Sequence, residues 1–141
     1  MATVSKTVEV TAGIDEAWAR ITDLANSGDW MTVHVDYPDG VPELAEGSTF
    51  REKVTIMGMP GEVTWTVKSV DAPNSFEMEG TGPMGTTLRA AFKLEASGDG
   101  TAVTYESEFG GDAVAAMAGP LENASKQVAD ESLAKLKELL G

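Results

Sequence analysis

The sequence predicts an α+β fold: an antiparallel sheet covered on one face by a long C-terminal helix. Three observations carry it. From position 49, apolar and polar residues alternate for about sixty residues, the period of half-buried strands. Two other segments, 13–26 and the tail from Asp112 to Leu140, repeat apolar residues at helical spacing. Short clusters rich in glycine, proline, asparagine and aspartate separate the strand-like segments, so sequence neighbours are expected to pair as a meander.

The elements follow in order. TVSKTVEVTA (3–12) places Val4, Val8 and Val10 on one parity and reads as a first strand, with Lys6 on the apolar side needing to snorkel or pair. GIDEAWARITDLAN (13–26) changes period: Ile14, Ala17, Trp18, Ile21, Leu24 and Ala25 share a helical face, Asp15 and Glu16 favour its N-terminal end, and Ser27-Gly28-Asp29 stops it. Residues 31–48 are weakly patterned, with a turn at Tyr37-Pro38-Asp39-Gly40 and room for a second short helix. Five strands then follow, 49–57, 62–70, 75–81, 86–96 and 101–109, with a hairpin tip at Gly58-Met59-Pro60-Gly61 and a turn at Gly82-Pro83-Met84-Gly85.

The tail winds Val114, Met117, Ala118, Leu121, Val128, Ala129, Leu136 and Leu139 into one arc, with Ser125 and Ser132 in its middle. The tail supplies an unusually light set of residues: Ala115, Ala116, Ala118, Ala124, Ser125, Ala129 and Ser132. A light helix over a twisted sheet leaves either a cavity or a close helix–sheet approach, and both readings fit this composition.

The 141 residues suit a single domain spanning 1–141. A net charge of −13 repels phosphate backbones and anionic bilayers, so neither nucleic acid nor stable membrane insertion is expected. The chain has no cysteine and its N-terminus lacks a leader pattern, so a cytoplasmic location without disulfides or a cysteine-held zinc is expected. GTGPMG (80–85) satisfies a dinucleotide-loop spacing, but a strand follows it and Pro83 removes an amide donor, so it is a turn. No cofactor and no metal are expected. The sequon Asn123-Ala124-Ser125 sits in a helical segment and is read as coincidence.

VSKTVEVTA followed by DEAWARITDLANSGDW resembles the START-like, helix-grip superfamily of polyketide cyclases and dehydrases, lipid-transfer domains and birch-pollen-type allergens. Ala17-Trp18, Ile21, Asp23 and Trp30 carry the match, which extends over nearly the whole chain. Gly13 departs from it, standing where many members have a proline. The resemblance implies a strongly curved sheet of about six or seven strands wrapped around the long C-terminal helix, with one or two short helices after the first strand. It also implies a cavity between sheet and helix for a hydrophobic small molecule or lipid. In that arrangement Trp18 packs the first helix on the sheet, and Trp30 anchors the chain where it closes one side of the cavity.

The inward parity then nominates ligand-lining residues: Phe50, Val54, Trp65, Met78, Leu88 and Phe92 from the sheet, with Tyr105 beside them. Met117, Leu121, Ser125 and Ser132 join from the tail, and Trp30 from the loop. Met57, Met59 and Met84 fall at one end of the meander and form a soft pocket mouth in this reading, or merely cap the core. Glu52 lies on the inward parity between Phe50 and Val54 and is a candidate acid or base. His34, the only histidine, reads as a solvated loop residue or, with Asp36 or Tyr37, as a base. Tyr105 offers an inward hydroxyl. Two functions follow: a binding or carrier protein for an apolar small molecule or lipid, favoured because no pair of titratable groups stands at a telling spacing, or a cyclase/dehydrase-like enzyme using Glu52, His34 and Tyr105. A regulatory or toxin-like partner protein is a third, weaker reading.

Overall fold

In a computed structural model, which describes residues 2–56, 58–82, 85–111 and 118–141, the period-two segments pair into one sheet. Its strands are β1 (Ala2–Val10), β2 (His34–Asp36), β3 (Thr49–Ile56), β4 (Met59–Asp71), β5 (Ser75–Thr81), β6 (Thr87–Ser97) and β7 (Gly100–Gly110). Helix α1 (Ile14–Ile21) and a 3-10 helix (Leu24–Asp29) lie between β1 and β2, and α2 (Ala118–Leu140) closes the chain. The strand order is β1-β7-β6-β5-β4-β3-β2, antiparallel throughout. The sheet curves into a half barrel around one apolar face. That face carries Val63, Trp65 and Val67 from β4, Phe76 from β5, Phe92 and Leu94 from β6, and Val103 and Tyr105 from β7, all buried.

Helix α2 lies chiefly along β1. It buries Ser125, Ala129, Ser132, Leu133, Leu136 and Leu140, an i, i+3/i+4 stripe centred on small residues. The stripe is turned slightly from the expected arc: Leu133 is inside and Leu139 is 41% exposed. The helix end is tied to the exit of β1, where Thr11 and Ala12 donate their backbone N–H groups to Gly141 O (2.8 Å) and Leu140 O (3.0 Å). The Lys137 ammonium donates to Glu9 O at 2.7 Å. Lys6 resolves its awkward parity by pairing with Asp130 at 2.8 Å. Gly100 starts β7 hard against this junction: a Cβ there would lie 2.0 Å from Val10 O.

Three local expectations are corrected. The first α-helix ends at Ile21 rather than near Asn26, because the Thr22 hydroxyl donates to Trp18 O (2.7 Å) and Asp23 leaves helical geometry; Ser27-Gly28-Asp29 instead falls within the 3-10 helix. β2 was not expected, since three residues are too few to show a period. The tip Met59-Pro60-Gly61 is strand, because it pairs with Ile56, Thr55 and Val54 of β3, while β5 joins β4 only from Thr64 onward. With one neighbour there, Pro60's missing N–H costs nothing. Val114, Ala115, Ala116, Met117, Met57 and Met84 lie outside the described residues, as does the expected start of the tail helix at Asp112.

Candidate functional site

A void of about 110 Å³ sits between the inner sheet face, the 24–33 segment and α2. Its aromatic wall is continuous. Phe92 stacks at a tilt with Tyr105 (centroids 4.8 Å) and Phe76 (5.3 Å), and receives the edge of Trp30 at 5.6 Å. Each such pair adds about 0.5–1.5 kcal/mol beyond its buried area. Trp18 does not line the void; it packs edge-on against Phe76 at 5.8 Å, as a core residue.

Among the described residues, Glu52 is the one charged-type side chain that borders the void. Strand alternation puts it on the inner face, and register places it across from Val63, with Trp65 two residues further along β4. That diagonal lets the Trp65 Nε1–H donate to Glu52 Oε1 at 3.0 Å. β2 pairs His34 with Val54, two residues along β3, and His34 Nδ1 reaches Glu52 Oε2 at 2.7 Å. Their side chains are 9% and 13% exposed. His34 is therefore not a solvated loop residue, and its partner is Glu52 rather than Asp36. The sequence offered no signal for this, because β2 and its pairing were invisible in the period.

The Tyr37 ring lies against His34 (4.5 Å) and Phe50 (5.9 Å), and its hydroxyl shares a 3.2 Å hydrogen bond with Ser27 Oγ. Burial pushes the Tyr37 phenol up to about 12, against the Ser27 bond and helped by Glu52. Burial also raises the Tyr105 phenol, which hydrogen-bonds Ser107. The carboxyl of Glu52 thus faces two phenols held neutral.

Of the nominated residues, Trp30, Val54, Trp65, Met78, Leu88 and Phe92 border the void, as do Tyr105 and Ser125. Phe50 stands behind Tyr37, and Leu121 packs with Leu88 against Phe109. Ser132 lies off the void because its hydroxyl is used elsewhere: it accepts from Thr32 N–H (3.1 Å), stapling α2 to the loop after Trp30. Met59 is 56% exposed and also lies off it. Met57, Met84 and Met117 lie outside the described residues. The void-lining residues not nominated include Ser27 from the expected helix stop, Met31 and Tyr37 from the weakly patterned stretch after it, and Ser107 on β7. Of these four, only Ser107 was recoverable, from its parity with Tyr105.

A larger concavity of about 490 Å³ lies on the opposite sheet face, floored by outward positions such as Thr64, Thr66, Thr81 and Thr87. It is shallow, and its Arg89 is engaged by Glu77, Glu106 and Glu108. The inner void is the more sheltered of the two and sets a carboxyl in an apolar wall. Among the described residues no cluster of three or more His, Asp or Glu is arranged to hold a metal, and no helix is long and apolar enough to cross a membrane.

A START superfamily protein from Mycobacterium smegmatis superposes with a TM-score of 0.74 at 19% identity, over 99% of this chain and 97% of that one. DynU16, a putative protein in the dynemicin biosynthetic locus, superposes at 0.70 and 19% identity, over 99% of this chain and 47% of that one. These likenesses establish the helix-grip fold. In sequence the chain is 29% identical to Toxin Rv0910 of Mycobacterium tuberculosis (strain ATCC 25618 / H37Rv) over 122 residues, 86% of this chain and 83% of that protein. It is also 29% identical to the uncharacterized protein Rv1546 of that strain over 146 residues, covering 100% of both. The family model for polyketide cyclase / dehydrase and lipid transport matches residues 1–141, and the chain belongs to that family.

Proposed function

We propose that the protein binds a hydrophobic small molecule between its sheet and α2. The observation that carries this reading is the void itself, walled by Trp30, Phe76 and Phe92 with the Glu52 carboxyl among them. Sites for drug-sized ligands run to about 300–1,000 Å³, so a guest larger than a small ring has to displace wall side chains. Met31 and Met78 border the void and are the residues best suited to yield, being unbranched and polarisable. Native mass spectrometry of freshly purified protein, with denaturing extraction of the same sample, tests the reading. A reproducible extra mass released on denaturation supports it; a bare chain that also ignores apolar probes contradicts it.

The Glu52–His34 contact favours a second reading, proton transfer on a polyketide-like substrate. A carboxyl oxygen at the void, backed by an imidazole at 2.7 Å, supplies an acid–base pair in this reading, with the Tyr105 hydroxyl to orient a carbonyl. Full activity of Glu52→Gln on any substrate found would remove it.

A further inference from the structure

Resting on the binding reading, we infer that Trp30 is the ligand's anchor, and that the ligand is a neutral, ring-sized apolar molecule bearing a carbonyl-type hydrogen-bond acceptor. Trp30 is 3% exposed, and its Nε1 is the one buried side-chain nitrogen or oxygen among the described residues that has no hydrogen-bond partner. Buried donors are almost always paired, and an orphan one is destabilising. The other indole at the site is satisfied, since Trp65 Nε1–H donates to Glu52. Of the wall's acceptors among the described residues, Ser27 is paired with Tyr37, Ser107 with Tyr105, and both Glu52 oxygens with Trp65 and His34, while the Ser125 hydroxyl, also on the wall, does not reach Trp30 Nε1. Trp30 borders the void, so the void is where its acceptor can be supplied.

An indole N–H only donates. The guest must therefore bring an acceptor, and a hydrocarbon chain or ring leaves the orphan unpaired. A carboxylate brings an acceptor too, but it would share a void of about 110 Å³ with Glu52 in a chain of net charge −13, so a neutral carbonyl is preferred. The volume sets the size: it is of the order of cavities that accept a single small ring, for which about 150 Å³ holds benzene.

The test compares two probes of one shape, cyclopentanone and methylenecyclopentane, by NMR of the indole N–H signals. The chain has three tryptophans, and the Trp30 signal is assigned by elimination with Trp18→Phe and Trp65→Phe, so no folded Trp30 variant is needed. Cyclopentanone is expected to move the Trp30 indole proton downfield and saturably, and to bind about tenfold more tightly than methylenecyclopentane. Trp30→Phe, where it folds, should erase that preference while leaving methylenecyclopentane binding in place. Equal affinities with no downfield shift of Trp30 would overturn the anchor while leaving an apolar binding site intact. Binding of neither probe would overturn both the anchor and the reading on which it rests.

Discussion

Glu52 Oε2 and His34 Nδ1 stand 2.7 Å apart, joining an inner position of β3 to the edge strand β2. Trp65 completes the arrangement from β4, so one carboxyl group ties three neighbouring strands. The contact is mostly shielded from water, which makes it stronger than an exposed pair and makes loss of one partner costly.

A double-mutant cycle with Glu52→Leu and His34→Phe measures that contact. The coupling expected for two touching groups is about 0.5–3 kcal/mol in urea unfolding. Strictly additive effects would mean the pair contributes nothing to holding β2 on the sheet.

The two serines of α2 should behave differently. Ser125 borders the void, so Ser125→Leu is expected to fill it, keep the helix, and abolish binding of small apolar probes. Ser132 is 1% exposed and bonded to Thr32, so Ser132→Leu should instead destabilise by about 1–3 kcal/mol through an orphaned N–H and overpacking. Probe titrations and urea melts of both variants separate the roles; matching behaviour would contradict the assignment.

That distinction marks how much the sequence could show. The strands β3 to β7 were legible because each alternates against a single buried face, and the Lys6 conflict was visible because its parity was wrong. Ser125 and Ser132 looked equivalent on a helical wheel, since a wheel gives the face but not which strand or loop it meets. The 24–37 segment carries Trp30, Tyr37, His34 and Ser27, yet its 3-10 turns and three-residue strand have no period to read. The Glu52–His34 contact depends on that segment and was invisible for the same reason.

Gly80 supports the site from beneath. A Cβ there would lie 2.8 Å from the Trp65 ring and 2.9 Å from Val63 Cγ1. Gly80→Ala is expected to cost about 1–3 kcal/mol and to weaken the Trp65–Glu52 hydrogen bond. The thermal midpoint and the Trp65 indole proton shift check this, and unchanged values for both would show the sheet yields there without strain.

Alkaline pH should unfold the protein in a defined window. The Tyr37 phenol rises from 10.0 to about 12 in the folded state, so the native form holds its proton more tightly than the unfolded chain. The stabilisation is full below pH 10 and is lost as pH climbs toward 12. Both tyrosines are shifted the same way. Tyrosinate absorbance should therefore appear together with unfolding, and Tyr37→Phe should flatten the fall in stability. Tyrosinate forming near pH 10 in a protein that stays folded would contradict the burial of both rings.

The most direct measurement is methyl NMR of the methionines during titration with a small apolar ring compound. Met31 and Met78 border the void, whereas Met59 is exposed and lies off it. The account predicts saturable shifts at Met31 and Met78 with Met59 still. Shifts centred on Met59, or no saturable shift at Met31 and Met78, would contradict an inner binding site between the sheet and α2.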